Sequence, residues 1–387
     1  MIDRPLYMDR LARWRDRDVI KVVTGVRRCG KSTLLRLFSD RLHAEGIPED
    51  RIITINLEQL ENEKLLDYRK LHEEIVSRIT SKETHYVFID EVQNVPEFQR
   101  AVDSLYARDG IDLYITGSNA LLLEGTLATL LSGRYVEVKM LPLSFSEFAS
   151  AAPQGQSLER TYGDYISHGS FPATIGFRAD QLALHDYLEG ILNTVLFKDV
   201  AQKLNVSNTI ALDALVSFVY DNIGNLTSAK GISGALETSG VRISPNTVSE
   251  YLSALVNSFV AYRAKRFDIK GKRLLKLQEK YYGVDMGLRR MLLSNQVRDR
   301  GRILENVVFL ELQRRFGTAY VGQVSSREVD FVVPAPGGLR YYQVAETVRD
   351  DATLDRELES LRAIRDNNPK FLLTLDDEAP VLHDGIK

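Results

Sequence analysis

Nine consecutive residues, Gly25-Val26-Arg27-Arg28-Cys29-Gly30-Lys31-Ser32-Thr33, follow the pattern G-x-x-x-x-G-K-[ST]. The glycines let the backbone curl so that its N–H groups point inward at a triphosphate, and Lys31 would reach the β- and γ-phosphates. The hydroxyl of Ser32 would hold Mg²⁺. Further on, Tyr86-Val87-Phe88-Ile89 ends in the adjacent carboxylates Asp90 and Glu91. Two carboxylates suit two tasks: Asp90 in the Mg²⁺ shell, Glu91 orienting and polarising the attacking water. A polar turn, Gly117-Ser118-Asn119, offers Ser118 or Asn119 as a sensor between that acid and the γ-phosphate. Arg134 has two readings, a finger offered to a neighbouring subunit's γ-phosphate or a cap on helix carbonyls.

These residues need a sheet to bring them together. The apolar run Val19 to Val23 precedes the glycine loop, and Leu34, Phe38 and Leu42 give the following segment a helical stripe that stops near Gly46 and Pro48. Further β-type runs lie at Ile52–Leu57, Tyr86–Ile89, Ile111–Thr116 and Val136–Lys139, with helical stretches expected at Leu65–Thr80 and Leu121–Leu131. Buried parallel strands delivering ligands at their carboxyl ends define an α/β class. The 387 residues exceed one ordinary core, and 44% hydrophobic with 27% charged is ordinary globular composition. With no apolar run long enough for a bilayer, no leader-like N-terminus and one cysteine, a cytoplasmic chain free of disulfides is expected.

The runs GVRRCGKSTLL, YVFIDEVQ, ITGSNALLL and SGRYVEVKMLPLSFSEF, in that order, resemble prokaryotic AAA+ ATPases of the archaeal-ATPase type, which carry a C-terminal domain of unknown function. The resemblance implies ATP with Mg²⁺ as cofactors and a five-stranded core with a strand inserted between those of the P-loop and of Asp90. It also implies a helical lid and ring-forming homo-oligomers, six subunits being the expectation. Ser32-Thr33 stands where two threonines are commoner, and His168-Gly169-Ser170-Phe171-Pro172 resembles the family's Gly-Gly-Phe-Pro turn with serine for one glycine.

The expected organisation is a P-loop core at 1–140, a helical lid at 141–205, a winged helix-turn-helix at 206–275 and an α/β domain at 276–387. Helical patterns at Ile210–Ile223, at Thr227–Glu237 and from Ser244-Pro245 onward precede an alternating run from Phe259 to Lys265 and a turn at Lys270-Gly271-Lys272. Three helices and a basic hairpin describe the winged unit. Eight Lys/Arg against Asp268 and Glu279 lie between Arg263 and Lys280. Arg263, Lys265, Arg266, Lys270, Lys272 and Arg273 are therefore candidates for contact with the phosphates of double-stranded or branched DNA. A protein-binding winged unit with a solvated hairpin is the alternative.

In the last domain, helical Glu305 and strand residue Asp330 resemble the carboxylates of the PD-(D/E)XK nucleases, whose Mg²⁺ site also uses an E-x-K strand. Here Gln343 replaces that acid and Ala345 that lysine. Glutamine carries no charge and alanine cannot stabilise a hydroxide, so a nuclease-like fold with a vestigial site is expected. Glu346 or Arg349 remain as displaced substitutes.

Overall fold

Strands Ile20–Thr24 (β1) and His85–Asp90 (β3) are buried along their whole length. Strands enclosed on both faces belong to a parallel sheet covered on each side by helices. The computed structural model describes residues 2–120, 133–201, 208–275, 278–293, 299–377 and 381–387. It divides into two compact units, the first made of Met1–Gly155, Phe171–Ile175 and Asn257–Phe259, the second of the remainder.

The first unit is a five-stranded parallel sheet in the order β2-β3-β4-β1-β5, with β2 Ile52–Asn56, β4 Ile111–Gly117 and β5 Tyr135–Lys139. Because β4 lies between β1 and β3, the segments leaving β1, β3 and β4 meet at one edge. Its helices are α1 (Pro5–Trp14), α2 (Lys31–Ala44), α3 (Tyr68–Ser77), α4 (Phe98–Tyr106) and α5 (Phe145–Ser150). Val22, Ile55, Val87 and Ile115 pack against Leu71 and Ile75 of α3 and Val102 and Leu105 of α4. Phe38 of α2 meets Phe88 and Tyr114, whose rings stack 4.8 Å apart. The helix expected at Leu65–Thr80 is shorter. Asp67 accepts from the Arg69 and Lys70 N–H groups and so starts α3 at Tyr68, after a separate 3₁₀ turn at Leu60–Leu65. The Leu121–Leu131 helix lies outside the described residues.

In the second unit, α6 (Leu158–His168) and α7 (Gln181–Thr194) precede α8 (Thr209–Asp221), α9 (Ala229–Thr238) and α10 (Pro245–Asn257). Ser244 Oγ accepts the Thr247 N–H and caps α10. These are followed by α11 (Met286–Leu292), α12 (Arg300–Phe316) and α13 (Asp351–Arg362). A small antiparallel sheet has the order β6-β10-β7: Leu226–Thr227, Glu279–Gly283, Ala261–Ala264. A six-stranded sheet has the order β14-β13-β12-β11-β8-β9. Its strands are β8 Arg266–Asp268, β9 Arg273–Leu274, β11 Tyr320–Val324, β12 Arg327–Ala335, β13 Gly338–Val344 and β14 Lys370–Leu373.

The border expected between residues 275 and 276 is crossed twice. Strand β10 pairs back with β7 and β6, whereas β8 runs parallel to β11 and makes the basic hairpin an edge of the larger sheet. The turn at residues 168–170 also meets the stretch at 285–287. Buried Asp285 accepts Ser170 N–H at 2.5 Å and Ser170 Oγ–H at 2.7 Å, and a Cβ on Gly287 would stand 2.8 Å from the Gly169 backbone. No described helix is long and apolar enough to cross a membrane.

Candidate functional site: a triphosphate cradle at the sheet edge

The loop between β1 and α2 has the shape its glycines allow. A Cβ on Gly25 would lie 2.2 Å from the Met140 carbonyl oxygen, and Gly30 has φ +103°, left-handed and accessible at low cost only to glycine. Val26 and Cys29 are buried, and Arg28 takes a left-handed φ of 66° between them. Cys29 N–H donates to the Val26 carbonyl, and burial pushes its thiol pKa up, so Cys29 fills space rather than acting as a nucleophile. Arg27 reaches Glu58 at 3.5 Å. Lys31, 3% exposed, donates to the Gly25 and Val26 carbonyls at 3.1 and 3.4 Å and stands 3.4 Å from the Glu91 carboxylate. Ser32 is exposed and Thr33 half-buried at the start of α2.

Asp90 and Glu91 leave the end of β3. Asp90 accepts Thr116 Oγ1–H at 2.5 Å and an Asn56 side-chain N–H at 3.1 Å, which fixes its carboxylate from both neighbouring strands. Glu91 turns into left-handed backbone (φ 54°), and its N–H donates to Thr116 Oγ1 at 2.9 Å. That turn sends the two carboxylates different ways, Asp90 along the sheet and Glu91 toward Lys31. Burial opposes charge on Glu91, but the Lys31 ammonium and the Gln93 amide outweigh it and hold the pKa below the usual carboxylate range. Gln93 donates both to Glu91 and, at 3.4 Å, to Ser118 Oγ, so Ser118 joins the same cluster from the end of β4. Asn119, the other residue of that pair, is buried beside it. The C-terminal edge thus gathers Gly25 to Thr33, Asp90, Glu91 and Ser118.

Arg134 is elsewhere. It precedes β5, whose register sets Tyr135 opposite Ile20 and Lys139 opposite Thr24. Arg134 therefore lies at the edge opposite the glycine loop, roughly 16 Å along the strand at 3.3 Å per residue. Its guanidinium, 48% exposed, binds Asp103 at 2.8 Å and lies over the Tyr106 ring.

Thr116, Asn56 and Gln93 went unassigned in the sequence, as did Arg4. The Arg4 guanidinium, 4% exposed, donates to the Cys29 carbonyl at 3.1 Å, the Leu141 carbonyl at 2.7 Å and Glu147 at 2.9 Å. A loop whose N–H groups face inward turns carbonyls outward, and Arg4 satisfies one of them. Its place between Asp3 and Pro5 gave no signal, and its partners lie far away in the chain.

The residues fit a Mg²⁺-bound nucleoside triphosphate. Lys31 is a single ammonium held by carbonyls that a phosphate can replace, the Ser32 hydroxyl is exposed at the helix start, and Asp90 is aimed and fixed. When bound, Mg²⁺ neutralises charge developing on the transferred phosphoryl group.

In the second unit the basic residues separate. Lys265, Lys270, Lys272 and Arg273 are exposed, Arg273 lying 3.8 Å from Asp268. Arg263 lies 3.8 Å from Glu279. Arg266 is drawn in, donating to Gln323 at 2.6 Å and so tying β8 to β11. Lys280, counted with the basic run, is buried.

Asp330 and Gln343 lie on paired strands and Glu305 on α12. Each side chain already has partners within the protein. Glu305 accepts Lys280 at 3.0 Å and Tyr282 Oη–H at 2.6 Å. Asp330 accepts the Val344 N–H at 2.8 Å, and Gln343 accepts from Asp330 N–H and donates to Glu357. The displaced substitutes are engaged elsewhere, Glu346 with Arg300 at 3.1 Å and Arg349 with Asp376 at 3.5 Å.

Residues 17–149 match the family model described as an AAA domain, and residues 159–299 match a domain of unknown function. An uncharacterized protein of Haemophilus influenzae is 39% identical over 378 residues, 97% of this chain and 93% of that one. Another, from Methanocaldococcus jannaschii, is 29% identical over 311 residues, 76% of this chain and 67% of that one. Among solved structures, a Walker-type ATPase of Pyrococcus abyssi is similar, with TM-score 0.51 and 17% identity over 76% of this chain and 96% of that chain. That likeness speaks for the fold alone. The chain belongs to the family of the H. influenzae protein, and in this chain an AAA domain is followed by a domain of unknown function.

Proposed function

We propose that the chain hydrolyses ATP and uses the hydrolysis to remodel or translocate DNA, working as a ring of identical subunits. The observation that carries the hydrolytic part is the Glu91 carboxylate, held ionised 3.4 Å from Lys31 beside a fixed Asp90. A triphosphate drawing Lys31 to its phosphates would leave Glu91 free to orient water and accept its proton. Gln93, bonded to both Glu91 and Ser118, would report whether the γ-phosphate is present. A finger role for Arg134, which lies at the edge away from its own loop and binds Asp103, would be one toward a neighbouring subunit.

The DNA-binding reading rests on the second unit. Three helices with a sheet in the order β6-β10-β7, and a long connection between β7 and β10, support a winged-helix reading. The connection is the hairpin that exposes Lys265, Lys270, Lys272 and Arg273. The six-stranded sheet with Glu305 on α12 and Asp330 on β12 supports a nuclease-like fold for the last domain, without cleavage as its task.

The test is the Glu91→Gln protein, mixed with ATP and then with linear, forked and four-way DNA. ATP-dependent assembly on DNA, weakened by salt, supports the reading. ATP-bound protein that ignores every DNA, with a wild-type ATPase rate equally indifferent, contradicts the DNA part and points to a protein partner.

A further inference from the structure

The carboxylates that resemble a metal site surround a side chain from another sheet. Lys280 leaves β10 of the small sheet, is 3% exposed, and places its ammonium 3.0 Å from Glu305 and 2.7 Å from Glu328. Tyr282, two residues on and on the same face of β10, donates to the same Glu305 oxygen at 2.6 Å. Gly224 closes the other side, where a Cβ would come within 3.2 Å of Glu305 Oε2. Asp330 completes the nest with its carboxylate on the Val344 N–H. Glu305 and Glu328 thus converge on one ammonium nitrogen.

We infer that the Lys280 ammonium is the resident cation of this nest, standing where a divalent ion would bind Glu305, Glu328 and Asp330, and that the site is a metal-free clasp between β10 and the last domain. Two observations agree. The Lys280 ammonium lies 3.0 Å from Glu305 and 2.7 Å from Glu328, filling the space an ion would need to reach both carboxylates. Among the described residues, the His, Cys, Asp and Glu groups whose ligand atoms gather within 4.8 Å do not include these carboxylates. The β-strand that supplies Lys280 belongs to the sheet beside α8, so the cation is delivered by covalent connection and not from solution.

Removing the ammonium leaves mutually repelling carboxylates that a divalent ion can reunite, with half-exposed Glu328 as the way in. The experiment is Mn²⁺ binding to the full chain without nucleotide, read by electron paramagnetic resonance, with the melting temperature measured with and without Mn²⁺. Wild type, Lys280→Ala, Lys280→Ala/Glu305→Gln and Asp330→Asn are compared, so that the nucleotide site, unchanged in all four, cancels. Expected is one further Mn²⁺ ion in Lys280→Ala with a melting temperature that rises on adding Mn²⁺. Both are lost again in the double variant, and wild type and Asp330→Asn bind alike. Wild-type Mn²⁺ binding that falls in Asp330→Asn overturns the inference, since the nest would already be a metal site. Equal Mn²⁺ binding in wild type and Lys280→Ala also overturns it. If Lys280→Ala does not fold, the comparison of wild type with Asp330→Asn decides alone.

Discussion

Two places in this molecule put carboxylates at a sheet and one buried lysine among them, and they use the lysine in opposite ways. Lys31 opens a helix after a glycine loop, and its partners are two carbonyls at 3.1 and 3.4 Å and one carboxylate at 3.4 Å. All three are contacts an anionic ligand can replace, and an exposed hydroxyl, Ser32, lies next to it. Lys280 stands in mid-strand with two glutamates at 3.0 and 2.7 Å and a tyrosine hydroxyl on the same carboxylate. The difference is one of replaceability. On the proposed reading, the lysine at the end of the glycine loop binds a ligand, and the lysine held between fixed anions is a counter-ion.

The largest separation of the two sites comes from activity. Glu91→Gln should lower turnover by about 10²–10⁴-fold, the usual contribution of a general base, while Lys280→Ala leaves ATP hydrolysis per folded molecule nearly intact. Steady-state phosphate release, normalised to folded protein, checks both. Stability should show the reverse. Stripping the partner from a buried ion pair costs about 3–5 kcal/mol, so Lys280→Ala should lower the denaturant midpoint strongly, whereas Lys31→Ala, which removes a buried charge from a weakly paired position, should cost far less.

Arg4→Met tests whether the cradle depends on support from behind. It takes the Arg4 donor from the Cys29 and Leu141 carbonyls and the cation from Glu147, and a cost of about 1.5–3 kcal/mol is expected for a hydrogen bond to a charged group. Because the Cys29 carbonyl belongs to the glycine loop, KM for ATP should rise more than kcat falls, which steady-state kinetics would separate.

Asp330 gives a smaller effect, in pH. Its folded-state pKa is raised, by burial first and the charge of Glu305 second. Its contribution to stability is therefore fully present below the unfolded value of about 3.9 and is lost as pH rises through the folded pKa. Asp330→Asn should flatten the decline of stability on the alkaline side, measured by denaturation at a series of pH values. Glu91, whose pKa is lowered, behaves oppositely and contributes only above the ordinary carboxylate range. The smallest change is expected from Lys270→Ala and Lys272→Ala, each lowering the slope of log K against log salt for DNA by about 0.9.

How much of this could be read from the chain follows from distance along it. The glycine loop, Asp90 with Glu91 and the Ser118 turn each carry their chemistry within a few residues, and parallel order alone then sets them on one edge. The helices at 209–221, 229–238 and 245–257 were equally readable, because Asn208, Ser228 and Ser244 start them locally. Pairings over long separations were not. Arg4 finds Glu147 across 143 residues, and its type and neighbours predict only a surface arginine before a helix. Lys280 reads as part of a basic run until β10 pairs with β7 and turns it inward. Arg266 is charged and near a turn, yet β8 joins β11 and spends it on Gln323. Composition and period cannot signal which sheet adopts a two- or three-residue strand.

The central claim is that the Lys31–Glu91 cluster is a site of ATP hydrolysis, and single-turnover measurement on wild type and Glu91→Gln tests it most directly. With Mg²⁺ present, both should bind ATP with similar Kd, and Glu91→Gln should cleave it at least about 10²-fold more slowly. Equal cleavage by the two proteins, or a wild type that binds no Mg²⁺-ATP, would contradict the account.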